Sequence, residues 1–137
     1  RRRAGQGNRI VSDLGQQVGE VSVPESTEEF YAREFTVFNP AGSVGVTCNG
    51  RGQISALMLE PEALTNDETL AEEIVAIAGL ARAKQRMELR LFTLLSAEAQ
   101  GRNPDPIDRF CRRTQKLPTP EEYQDMESAE FARRYPA

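Results

Sequence analysis

Residues 35–61 read FTVFNPAGSVGVTCNGRGQISALMLEP, and this stretch decides the fold. Phe35-Thr36-Val37-Phe38 is a β-prone run that ends at Asn39-Pro40-Ala41-Gly42, a strong turn signal. Val44, Val46 and Cys48 then alternate with Ser43, Gly45 and Thr47, the period of two expected of a strand with one buried face. Asn49-Gly50-Arg51-Gly52 supplies residues that tolerate positive φ, as a tight hairpin requires. Ile54 to Leu59 forms a third run, closed by Glu60-Pro61. Three strands joined by two short turns predict a meander, and a three-stranded sheet with one apolar face needs something packed on it.

The cover is predicted immediately downstream. Thr65-Asn66-Asp67-Glu68 fits a capping box, in which the Thr hydroxyl and the Glu carboxylate each satisfy a free backbone N–H. From there to about Gln100 no Pro occurs and Gly79 is the sole Gly. Leu70, Ile74, Ile77, Ala81, Leu91 and Leu95 recur at steps near four and three, with Lys84 and Glu88 in the same stripe. Leu80, Met87 and Leu94 form a flanking row. At 1.5 Å per residue such a helix runs roughly 50 Å, far beyond a short sheet. Its first half is apolar enough to cover the strands. Beyond Lys84 it needs the C-terminal helices, a second subunit or another protein. Met87, Leu91, Phe92, Leu94 and Leu95 are therefore the expected partner or dimer interface, because leaving large apolar side chains in water forfeits roughly 1.5–3 kcal/mol each. A symmetric homodimer is the commonest solution.

The flanks are shorter. Pro24 followed by Glu25, Ser26, Thr27, Glu28 and Glu29 predicts a short helical turn with acidic residues at its start. Gly101-Arg102-Asn103-Pro104 breaks the long helix, and Asp105-Pro106 is read as the cap and first residue of the next. Ile107, Phe110, Cys111 and Thr114 line one face of that helix, and Arg109, Arg112, Arg113 and Lys116 the other. Leu117-Pro118 stops it, and Thr119-Pro120-Glu121-Glu122 forms a second capping box for a last helix to about Arg134. Residues 1–23 are expected to be a flexible basic arm, since Gly15 and Gly19 interrupt their apolar spacing at about 1 kcal/mol each. Residues 24–137 are expected to form a single α+β domain: a three-stranded antiparallel meander packed on one long helix, followed by two short C-terminal helices.

Composition narrows the function. The 137 residues suffice for one ordinary domain. Arg1, Arg2, Arg3 and Arg9 are four of the 17 basic residues, so residue 10 onward carries 13 basic against 21 acidic residues, a net charge of −8. That field repels a phosphate backbone; Arg1, Arg2, Arg3 and Arg9 are the candidate DNA contacts, while the second basic patch of Arg109, Arg112, Arg113 and Lys116 reads as the polar face of an amphipathic helix. The chain has no His, and its two cysteines, Cys48 and Cys111, lack the spacing of a metal site and read as buried free thiols. Glu72 and Glu73 are adjacent on the helix, point about 100° apart and cannot act as a facing acid–base pair. Gly50-Arg51-Gly52 is too short for a dinucleotide or phosphate-binding loop. No catalytic, cofactor-binding or metal residues are expected. No apolar run approaches a membrane span, and residues 1–8 lack the apolar core of a signal peptide, so a cytoplasmic location is expected.

Two resemblances sharpen this reading. The order of elements from Phe35 to Gln100, with Val44-x-Val46, Asn49-Gly50 and the Ile54 to Glu60-Pro61 strand, resembles the YbaB/EbfC family, whose members are small dimeric nucleoid-associated DNA binders. Three further stretches resemble the EspD- and EspH-like secretion-associated proteins of the mycobacterial ESX systems. These are Phe35–Pro40 with Gly42-Ser43-Val44, then Leu70–Lys84, and finally Leu117–Glu122 with Ala129–Tyr135. That resemblance implies a non-enzymatic cytosolic adaptor or chaperone-like factor of type VII secretion that binds and stabilises partner proteins. The YbaB resemblance implies a homodimer and, as the competing function, DNA binding. Tyr123 and Glu127 also form a Tyr-x-x-x-Glu pattern similar to the tyrosine–acid signal of type VII substrates, although the Trp that accompanies that signal is absent from the chain.

Overall fold

A computed structural model of the protein describes residues 25–65 and 67–136. The expected arm, with Arg1, Arg2, Arg3 and Arg9, lies outside these residues. The chain runs α1 (Thr27–Tyr31), β1 (Glu34–Phe38), β2 (Val44–Asn49), β3 (Ile54–Leu59), a 3₁₀ turn (Pro61–Thr65), α2 (Asp67–Ala99), α3 (Pro104–Arg113) and α4 (Pro120–Arg134). The strands form one antiparallel sheet in the order β1-β2-β3. This is the α+β meander with a long helix and two shorter C-terminal helices that the sequence predicts.

Each turn is closed by an asparagine. The Asn39 side-chain oxygen accepts from the backbone N–H of Ser43 and Val44, at 2.8 and 3.1 Å, and fixes the β1–β2 turn. Its amide nitrogen donates to Glu73 of α2 at 2.8 Å, so the turn is also tied to the helix. In the second turn the Asn49 oxygen accepts from Arg51 and Gln53, and Gly52 takes the left-handed φ of +82°. Gly50 is needed for a different reason, which is close approach. A Cβ there would lie 2.6 Å from Tyr31 Cα and closer still to the Phe30 carbonyl oxygen. The Gly50 N–H donates to the Tyr31 carbonyl, and the Gly50 carbonyl accepts from Gln85 of α2 at 2.7 Å. One residue thus joins hairpin, short helix and long helix.

The core lies between α2 and the β1–β2 half of the sheet. Phe35, Val37, Val44, Val46 and Cys48 point at Ile77, Leu80 and Ala81, and all are buried. The polar members of the helix stripe have partners. Lys84 Nζ donates to the Thr36 carbonyl at 3.2 Å, and Glu88 accepts from Arg33 at 3.2 Å. Phe30 is fully buried, stacked on Phe92 with ring centroids 4.7 Å apart and 5.8 Å from Phe35. The short helix α1, capped by a reciprocal Ser26–Glu29 box, exists to place that ring.

Two boundaries differ from expectation. Helix α3 begins at Pro104, with Asn103 as its cap accepting from the Asp105 N–H, because an Asn immediately before Pro offers the same geometry two residues earlier than Asp105-Pro106. Thr65 donates its hydroxyl to the Glu62 carbonyl and so closes the 3₁₀ turn ahead of α2. The Thr119–Glu122 capping box is present as read.

Helices α3 and α4 fold back on α2. Arg90 donates to both oxygens of Asp108 at 2.8 and 3.0 Å, and this ion pair holds the Asp108 carboxyl below its ordinary range. Arg112 does the same to Glu122, with both bonds at 2.6 Å, and also donates to the Leu117 carbonyl. The Arg112 hydrogen bonds, aided by the Thr119 N–H, pull Glu122 down to about 2.

Two outcomes check this account. Gly50→Ala should lower unfolding stability by roughly 1–3 kcal/mol, the usual cost of forcing a methyl group into filled space, measured by chemical denaturation. A loss below about 0.5 kcal/mol would show that the hairpin does not seat on α1 as described. Because the folded Glu122 pKa is depressed from 4.5, its contribution is present above that value and is lost as pH falls toward about 2. Glu122→Gln should therefore flatten the fall in stability between those two pH values, and an unchanged acid limb would contradict the Arg112 pair.

Candidate protein-binding surfaces

The long helix divides the apolar residues expected at the interface. Met87 is buried with Ala83 and Tyr123, covered by α4, and Phe92 is occupied by Phe30. Leu91 and Leu94 are half-buried, and Leu95 is 64% exposed. The spacing of Leu91, Leu94 and Leu95 puts them on one face of a helix end that extends past the sheet. The structure thus brings three of the five together as an accessible patch and uses the other two inside the chain.

A second surface was not singled out in the sequence. Helix α2 lies over β2 and β1 but scarcely touches β3. The register sets Leu57 opposite Val46 and Leu59 opposite Val44, so both point to the helix side of the sheet. With little of α2 above it, Leu57 is 47% exposed, although it faces the same way as fully covered Val46. On the outer face Met58 and Phe38 flank Gly45, and both are more than two-fifths exposed. A Cβ on Gly45 would come within 2.5 Å of the Phe38 ring, so Gly45 is the seat on which that ring lies. The available signal was the unbroken run Ala56-Leu57-Met58-Leu59. Strands apolar on both faces are normally covered on both, and among the described residues one long helix, α2, packs on this small sheet.

Polar features are mostly absorbed into structure. Glu73 accepts from Asn39 and from the Tyr135 hydroxyl, tying the first turn and the end of α4 to α2. Burial, with the Glu73 carboxylate next, pushes the Tyr135 hydroxyl up to about 12. Tyr123 is buried and donates to Glu127 at 2.9 Å, so the Tyr-x-x-x-Glu pattern serves as an internal clip on α4. Cys48 and Cys111 are buried free thiols, each with its pKa raised chiefly by burial. The expected basic row on α3 is thinned, because Arg112 is committed to Glu122, leaving Arg109, Arg113 and Lys116 exposed. Among the described residues no group of three His, Cys, Asp or Glu side chains is placed to hold a metal ion. No helix among them is long and apolar enough to cross a membrane.

The sequence is similar to known proteins. The YbaB/EbfC DNA-binding family matches residues 11–91, which takes in α1, the sheet and most of α2. The chain is also similar to the ESX-1 secretion-associated protein EspH of Mycobacterium tuberculosis, with 37% identity over 121 residues. That alignment covers 83% of this chain and 65% of EspH, so the chain spans a little less than two thirds of that relative. No solved structure gives a significant match. With the family match extending over more than half of its length, the chain belongs to the YbaB/EbfC family.

Proposed function

We propose that the chain is a non-enzymatic, cytoplasmic adaptor or chaperone-like protein of ESX (type VII) secretion that binds and stabilises partner proteins. The observation that carries this reading is the open end of α2. Leu95 stands 64% exposed beside half-buried Leu91 and Leu94 on a helix that outruns its sheet. An exposed leucine flanked by two half-buried ones at the end of a rigid element is a feature that suits a protein-binding site. The likeness to EspH supplies the setting, since that protein's name ties it to ESX-1 secretion.

The competing reading is DNA binding in the manner of the YbaB/EbfC family, with Arg1, Arg2, Arg3 and Arg9 as the phosphate contacts. The family's description favours it. The net charge of −8 from residue 10 onward opposes it, because phosphate affinity depends on neutralising cations.

A pull-down from native lysate at about 150 mM salt decides between them. The adaptor reading expects secreted or secretion-apparatus proteins in the eluate, and expects Leu95→Glu to reduce their recovery at least about tenfold. Because Leu95 is exposed, that variant should melt like the parent, within about 0.5 kcal/mol. Recovery of nucleic acid alone, sensitive to deletion of residues 1–9, would reverse the assignment.

A further inference from the structure

Helix α4 lies outside the stretch that the chain shares with its family, which ends at Leu91. It nevertheless covers a face of α2 that belongs to that stretch. Tyr123 is 3% exposed and packs with Ala83 and Met87, in a cluster separate from the main core. The main core is complete without α4: its nine buried residues all lie between Phe30 and Ala81, and Phe131 is only partly buried against them. The hold of α4 on its face is slight. Tyr123 is the one buried residue of the 15 in the helix. Its hydroxyl donates to Glu127 of the same helix, so the polar end of the side chain is satisfied without α2, and Ala83 and Met87 receive the ring alone. Just past the helix, Tyr135 bonds to Glu73 of α2. Arg134 Nε, beside it in sequence, is buried with no partner among the described residues, a cost that a closely fitted helix end avoids. The connector is anchored by contrast. Leu117 and Pro118 are buried, and Arg86 donates to the carbonyls of Gln115 and Lys116. Helix α4 can thus leave α2 and remain tethered beside it.

We propose that α4 is a displaceable cover over a helix-binding seat on α2, centred on Ala83 and Met87, and that an amphipathic helix of a partner protein takes its place there. The seat is not isolated. Ala83, Met87, Leu91 and Leu94 follow at steps of four, four and three, so they form one strip along α2. Tyr123 closes the first two, and half-buried Leu91 and Leu94 continue the strip beyond it. The open patch and the seat under α4 are therefore two ends of one face. This cover deepens the adaptor reading, on which it rests for the identity of what is captured. The chemistry of the occupant follows from α4 itself. It is a helix that sets an aromatic ring on Ala83 and Met87, as Tyr123 does, with a second apolar group about two turns on, where α4 carries Phe131. The unbranched thioether of Met87 adapts to rings of different shape. Helix α4 runs antiparallel to α2, from Tyr123 at Met87 to Tyr135 at Glu73. A partner helix laid in the same direction and begun a turn or two earlier also covers Leu91 and Leu94. With α4 in place a partner meets Leu91, Leu94 and Leu95; with α4 lifted it gains Met87 and Ala83 as well.

The test uses the full chain, with a fluorescently labelled peptide of residues 119–135 as the probe. Tyr123→Ala combined with Phe131→Ala should release α4. The released chain should bind the peptide at least about tenfold more tightly than the parent, whose own tethered α4 competes at high local concentration. The same peptide carrying Tyr123→Ala should lose that binding. The Val46 amide should stay protected from hydrogen exchange in the released chain, since the main core lies between Phe30 and Ala81. In the lysate pull-down, release should raise at least about threefold the recovery of the proteins whose capture Leu95→Glu reduces. Equal peptide binding by parent and released chain, or binding by neither, overturns the proposal. Loss of Val46 protection does the same, because α4 would then be part of the core, and so does unchanged recovery of proteins that the parent captures. A lysate that yields no protein for either chain, alongside the expected peptide binding, removes the adaptor reading and leaves the helix seat standing.

Discussion

The packing of Ile77, Leu80 and Ala81 against Val44, Val46 and Cys48 fixes where a 33-residue helix meets strands of five and six residues. The helix is about 50 Å long, and strands of that length reach about 20 Å. Every other element answers to this mismatch. Helix α1 supplies Phe30 to cover Phe92. Helix α4 turns back to cover Met87 through Tyr123 and the sheet-side core through Phe131. What they leave is the Leu95 end. The helix is also one helix wide, so it covers two strands and leaves the third.

The polar residues of α2 hold this arrangement in one register. Glu73 grips the first turn through Asn39, and Gln85 grips the second through Gly50. Lys84 and Glu88 reach Thr36 and Arg33, on β1 and the segment before it. Sliding the helix by one turn would break all four while keeping much of the apolar contact. Apolar burial holds the helix on the sheet, and these bonds select its position.

The strands, their turns and the long helix were legible because each carries a local signal: period two, Asn/Gly/Pro turns, and the four–three stripe. The α4 cap was legible for the same reason, since Thr119 to Glu122 is a pattern of near neighbours. What could not be read depended on pairs distant in sequence. Phe30 gave no sign that it would stack on Phe92, and Glu73 gave none that it would bond Asn39 and Tyr135. The Met87–Leu95 segment was read as one open apolar surface, but a stripe says which side chains are apolar and not which are already covered, and Met87 and Phe92 are used inside the chain. The β3 surface was missed for a related reason. Ile54 to Leu59 was read as a strand with a core face, whereas the width of the helix, not the strand's own pattern, decides whether that face is covered.

Hydrogen exchange followed by NMR tests the central claim, that the one long helix clamps β1 and β2 and leaves β3 outside its cover. The Glu60 N–H donates to the Ser43 carbonyl, which turns the backbone of Leu57 and Leu59 away from β2. The account predicts that the amides of Leu57 and Leu59 exchange fast while those of Val37 and Val46 stay protected. Protection of Leu57 and Leu59 equal to that of Val46 would contradict it.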